Sequence, residues 1–174
     1  MCIRDSILKM GRTQLEDAVP MRLGQSFHAY ATMIERDIRR IECARKELFT
    51  LNLGGTAIGT TINASDYYLH HIVPTLAAVT GYPLMQADDL FDATENLDGF
   101  VTISNTLKTC AVNLSKMCND LRLLSSGPRT GFGEINLPPM QNGSSIMPGK
   151  INPVIPEVVN QVAFNIIGND VTIT

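Results

Sequence analysis

The chain has 174 residues, 44% of them hydrophobic, and carries a net charge of −3 with an isoelectric point near 5.5. That is enough for about one domain with a real core, and it excludes the basic field that nucleic acid or an anionic membrane surface would need. No apolar run approaches the roughly 18 residues of a membrane span, which points to a soluble chain whose anionic ligands must be held by local groups.

Met1 to Ser6 has neither periodicity nor targeting composition and is expected to be a non-native extension. The chain from Ile7 onward enters in mid-pattern, and Ile166 to Thr174 stops without a cap in continuing apolar structure, so residues 7–174 are expected to be a partial domain truncated at both ends. Cys2, Cys43, Cys110 and Cys118 lack paired short spacing and a secretory signal, which favours free thiols in a reducing cytoplasm.

In Lys9 to Pro20, Thr13 stands three residues before Glu16, a capping box that would open a helix with no chemistry attached. From Leu23 to Leu51, apolar residues recur in steps of three and four (Phe27, Tyr30, Ile34, Ile38, Ile41, Ala44, Leu48), one face of a helix about 43 Å long whose other face is charged. Such a helix suits an elongated bundle. Gly54 to Asn63, rich in glycine and threonine, reads as a tight turn with no phosphate-binding fingerprint.

Ser65 is placed to cap a helix that runs to about Thr80 and is closed by Gly81. His70 and His71 on it are adjacent and point apart, so surface or subunit contacts are favoured over a metal pair. Asp88, Asp89, Asp92, Glu95 and Asp98 read as a solvated face or helix starts, since their steps do not follow a calcium loop. A second long helix is expected from about Asn96 to Leu124, with Ser104 as a small polar break in its stripe.

After Ser125-Ser126-Gly127-Pro128 and a glycine- and proline-rich stretch comes Gly143-Ser144-Ser145-Ile146-Met147-Pro148-Gly149-Lys150-Ile151-Asn152-Pro153. Its bends fix the backbone while Ser144, Lys150 and Asn152 can address one small ligand, so it reads as a catalytic loop; a flexible connection that happens to hold a lysine is the bland alternative. From Pro156 onward, apolar residues cover most of a helix circumference, as expected of a helix deep in a bundle. With no strand alternation longer than a few residues, the expected fold class is all-α, with long antiparallel helices.

Gly-Ser-Ser-x-Met-Pro-x-Lys-x-Asn-Pro resembles the signature of the aspartase/fumarase superfamily, and Val154 to Gln161 is similar to its aspartate ammonia-lyase branch. Gly11-Arg12-Thr13-Gln14-Leu15-Glu16-Asp17-Ala18 resembles a second block, in which the threonine and the residue after it contact substrate; fumarases have histidine at the position of Gln14, and aspartases either. Gly55 to Asn63 is similar to a third block near the active site, with Thr61 where glycine is common, and no residue of it is given a role.

The resemblance covers nearly all of 7–174 as a middle portion of longer chains, and an upstream threonine- and serine-rich block is missing. It implies part of a central helical bundle completed by homotetramerisation, with active sites shared between subunits. It implies Ser144 as the catalytic base, Lys150 and Asn152 on a carboxylate of a small dicarboxylate substrate, and Thr13 and Gln14 on the substrate's other end. No cofactor is required for the chemistry and no metal residues are assigned, though activation by a divalent cation such as magnesium is allowed.

Gln14 cannot relay a proton to Glu157, which is therefore expected to be structural. Pro138-Pro139-Met140 departs from relatives that carry an acidic residue after the first proline.

Removing ammonia from aspartate means taking a weakly acidic proton beside a carboxylate, so the resulting dianion needs preformed donors. Lys150 supplies charge, Asn152 an amide, and the Gly143 to Met147 backbone converging N–H groups. The same donors should stabilise a serine alkoxide. Aspartate ammonia-lyase is the preferred reading; a class II fumarate hydratase and a non-catalytic structural protein on the same fold are the alternatives.

Overall fold

The computed structural model describes residues 6–174, so Cys2 and most of the Met1 to Ser6 stretch lie outside the described residues. The chain divides into two compact units, one formed by the chain up to Ile38 with Lys108–Asn169, the other by Arg39–Leu107 with Asp170–Thr174. Among the described residues, no helix is long and apolar enough to cross a membrane.

The first unit opens with an antiparallel hairpin, β1 (Leu8–Thr13) and β2 (Glu16–Arg22), where residue types alone would have allowed a capping box. Thr13 faces Glu16 across the ladder, and Gln14 and Leu15 turn the corner with φ of 51° and 71°. Positive φ at both turn residues matches the twist of a two-residue hairpin. The register shifts between Met10 and Arg12, where a Cβ on Gly11 would sit 2.9 Å from the Val19 carbonyl oxygen; the close approach requires glycine. Both faces of β2 are largely exposed, so the strand never needed the apolar alternation by which strands are recognised.

Helix α1 (Leu23–Ala44) starts where Gln25 accepts the Arg22 N–H through its side chain at 2.9 Å. It ends seven residues short of the expected Leu51, and the chain tightens into a 3-10 turn over Arg45–Phe49. A 3-10 turn has a period of three, so Leu48 and Leu51 continue the stripe although the α-helix has stopped.

Helices α4 (Asp98–Leu124) and α5 (Val154–Ile173) complete the long elements. Within the first unit their contacts are polar or small. Asn113 donates to both carboxylate oxygens of Asp37 at 3.0 and 2.8 Å, Asn160 donates to Asn119 at 2.7 Å, and Tyr30 donates to Asp120 at 2.9 Å. Ala111, Cys118 and Ala163 are buried among them.

No large side chain is fully buried among the described residues. The expectation that α5 is deeply buried fails for the chain by itself, because Ile155, Val158, Val162 and Phe164 are exposed, Val159, Ile166 and Ile167 are half-buried, and Asn160, Ala163 and Asp170 are its buried residues.

In the second unit, β3 (Thr50–Leu51) pairs in parallel with β4 (Met85–Gln86), and Ala87 N–H reaches the Leu51 carbonyl at 2.9 Å. Helix α2 (Asp66–Thr80) has the expected bounds: Ser65 Oγ accepts the Tyr68 N–H, and Gly81 closes it at φ 73°. Asp89 caps the short α3 (Asp92–Glu95) by accepting from Phe91 and Asp92. Gly59 meets the Phe91 backbone so closely that a Cβ would come within 2.6 Å of its nitrogen, which accounts for glycine in that turn. Buried Ser104 donates to buried Asp170 at 2.6 Å. The class is mostly helical, with two small sheets added among the described residues.

Candidate active site

Two parts of the first unit carry the residues singled out from the sequence. One is the hairpin corner. Beyond α4 the chain turns back on itself: Phe132 N–H donates to Ser126 Oγ, Gly133 N–H to the Ser126 carbonyl, and Glu134 N–H to the Leu124 carbonyl at 2.9 Å. Gly131 lies against Ser126, and a Cβ there would be 2.5 Å from that carbonyl.

This return brings Glu134 to the hairpin, where its carboxylate meets Arg12 Nη2 at 2.5 Å and Lys9 Nζ at 3.4 Å. Arg12 also reaches Asp17 at 3.2 Å and lies over the Phe132 ring at 4.3 Å. Burial pushes the Glu134 carboxyl up, but the hydrogen bond and charge of Arg12, with Lys9 beside it, outweigh burial and hold it below the ordinary carboxylate value. The charged form of Arg12 is favoured in turn, above all by its hydrogen bond to Glu134.

Gln14 lines a cavity of about 440 Å³ with Lys9, Arg12, Tyr30, Lys116 and Phe132. Burial, with a hydrogen bond to Asp120, raises the Tyr30 hydroxyl well above its usual range, so it stays a donor. Lys116 pairs with the same Asp120.

The second part is the Gly143 to Pro153 loop. Ser144 N–H donates to the Lys150 carbonyl at 3.0 Å and Lys150 N–H to the Met147 carbonyl at 3.1 Å, which closes the loop into one turn. Gly149 has φ 83° with open space where a side chain would stand. Ile146 and Met147 project outward.

The N–H groups of Ile146 and Met147, expected to face substrate oxygens, are both directed at Ser144 Oγ, each at 3.2 Å. Two amide donors on one hydroxyl oxygen favour negative charge there.

Lys150 and Asn152 line one cavity of about 440 Å³ together with Asn119, Arg122 and Ser126, and Ser144 lies outside its lining. The loop thus joins Ser144, Lys150 and Asn152 along one turn of chain, while Thr13 and Gln14 sit at the hairpin corner, outside that cavity. Glu157 pairs with Arg122 at 2.7 Å. Sequence reasoning missed Glu134 and Arg122, whose partners are remote in the chain and whose local sequence carries no signal of pairing.

The family model described as lyase matches residues 4–168. Curated relatives named aspartate ammonia-lyase are similar to the chain: that of Pseudomonas aeruginosa at 63% identity over 97% of this chain and 36% of its own length, that of Bacillus subtilis at 56% over the same shares, and that of Escherichia coli at 55% over 97% and 35%. The cobalt-bound crystal structure of fumarate lyase:delta crystallin from Brucella melitensis superposes with a TM-score of 0.89 at 54% identity, covering 95% of this chain and 36% of that one. A recombinant class II fumarase from Schistosoma mansoni superposes with a TM-score of 0.89 at 34% identity, covering 95% and 38%. The chain spans 36% of the length of the first two curated relatives.

Proposed function

Because the chain belongs to the lyase family whose model covers residues 4–168, we propose that the whole protein removes ammonia from L-aspartate to give fumarate. The observation that carries this reading is the 55% to 63% identity to proteins named aspartate ammonia-lyase.

Ser144 is the base. Its Oγ, held by the N–H groups of Ile146 and Met147, loses its proton to water and as alkoxide takes the proton beside the substrate's side-chain carboxylate. The electron pair passes into that carboxylate, forming an aci-carboxylate dianion that Lys150 and Asn152 stabilise by charge and amide hydrogen bond. Its collapse expels ammonia.

Thr13 and Gln14 hold the other end of the dicarboxylate. Their place outside the Lys150 and Asn152 cavity favours sites assembled from several copies, and the exposed apolar residues of α5 favour a homotetramer that covers them. The 174-residue chain alone is expected to be inactive. The steps draw on no cofactor, and magnesium would enter only as an activator. The thiols of Cys43, Cys110 and Cys118 are free, as suits a cytoplasmic protein.

A class II fumarase is the second reading, favoured by the TM-score of 0.89 to the Schistosoma mansoni enzyme, and disfavoured by Gln14 at the position of a fumarase histidine. Following fumarate by ultraviolet absorbance with the full-length protein decides between them. Activity with aspartate is expected; activity with malate and none with aspartate overturns the proposal. Activity with neither favours a structural protein on this fold.

A further inference from the structure

We infer that the Arg122–Glu157 ion pair is a positioning device for the carboxylate-binding end of the Gly143 to Pro153 loop. The inference rests on the lyase reading of that loop and adds two residues to it.

Residues 125–153 form no helix or strand, so the loop's geometry depends on how its ends are tied. Arg122 lies in the last turn of α4 and Glu157 in the first turn of α5, the two helix ends that bracket this segment. Each charge suits its helix end, a cation at the C-terminus and an anion at the N-terminus. The pair closes at 2.7 Å and, with Asn152, Pro153 and Val154, lines a hollow of about 340 Å³. It therefore clamps the chain where Asn152 leaves the loop.

The pair also sets the charge of the site. Arg122 lines the cavity that contains Lys150 and Asn152. Glu157 neutralises Arg122, and Lys150 has no ion-pair partner among the described residues, so Lys150 is left as the uncompensated cation for a carboxylate. With side chains 40% and 46% exposed, the pair adds little to stability, as surface pairs generally do. Its consequences should appear in turnover and substrate affinity.

The two halves then behave differently when removed. Arg122→Ala leaves a carboxylate unpaired beside the site, so KM for aspartate should rise. Glu157→Gln frees a second cation that competes with Lys150 for the substrate, so KM should stay level or fall. Both misplace Asn152, and kcat should drop on the order of tenfold in each. Arg122→Lys keeps the charge and should recover most of the loss.

The test is steady-state kinetics on the full-length protein for these three variants, with melting temperatures recorded alongside. Opposite KM trends with a shared loss of kcat support the clamp. Unchanged kcat in an active wild-type background overturns the clamp alone, as do KM shifts of the same sign with no rescue by lysine. A wild type with no activity on aspartate overturns the lyase reading as well. Should Arg122→Ala fail to assemble, Arg122→Lys against Glu157→Gln makes the same comparison: a lysine variant near wild type beside an impaired glutamine variant supports the clamp, and equal kinetics overturn it.

Discussion

The hairpin corner and the Gly143 to Pro153 loop both hold residues expected to touch substrate, yet they are built in opposite ways. At the corner, Glu134 is only 20% exposed and holds two cations that the hairpin presents to it, so side chains lock the backbone from outside. The loop is fastened mainly by its own backbone hydrogen bonds, and Ile146 at its crest is 87% exposed. A group that must bind part of a ligand benefits from being fixed beforehand. A group that must exclude water during proton transfer benefits from being able to move.

The largest effect should come from the loop. Ser144→Ala in the full-length protein should lower kcat by about 10³-fold or more while KM changes little, because it removes the proton acceptor and leaves the donors in place. Near-normal turnover in the same assay would dismiss Ser144 as the base.

At the corner, Glu134→Gln should lower the melting temperature by about 4 °C, because Lys9 loses its ion-pair partner and Arg12 keeps only Asp17. Glu134 is held below its ordinary value of 4.5, so its contribution is fully present above that value and is lost as pH falls through the lower, folded-state value. The stability gap between wild type and Glu134→Gln should therefore be full at neutral pH and narrow on acidification below 4.5, measured by thermal melts across pH. A gap independent of pH would show that the corner is held by packing rather than charge.

The smallest effect sharpens the contrast at the turn itself. Leu15 is 63% exposed and sits at φ 71°, a conformation that costs a branched side chain about 1 kcal/mol and glycine almost nothing. Leu15→Gly should thus stabilise the hairpin by up to about 1 kcal/mol in chemical unfolding; a loss of stability would mean that the leucine packs on something in the assembled protein.

Much of the fold was legible from residue types alone. Ser65 and Gly81 announced the ends of α2 because capping is a local interaction, and the apolar stripe announced α1 until a 3-10 turn imitated its spacing. The loop showed itself by composition. The hairpin did not, since a strand exposed on both faces has no alternation, and the Thr13 and Glu16 pair satisfies a helix cap and a cross-strand contact equally well. Glu134 was invisible because its partners at Lys9 and Arg12 are adjacent only after the chain has returned from α4. The donors on Ser144 Oγ were half visible: backbone N–H groups were expected in that stretch, but their target was set by the turn.

The helices meet through amides, carboxylates and small side chains, as with Asn113 on Asp37, Asn160 on Asn119 and Ser104 on Asp170. Apolar surfaces tolerate sliding, because one methyl group replaces another, but a one-turn slip here would strand each donor away from its acceptor. Alignment along the helix axes is therefore written in a few hydrogen-bonding pairs, which leaves the bulky outward residues free to vary with whatever they press against.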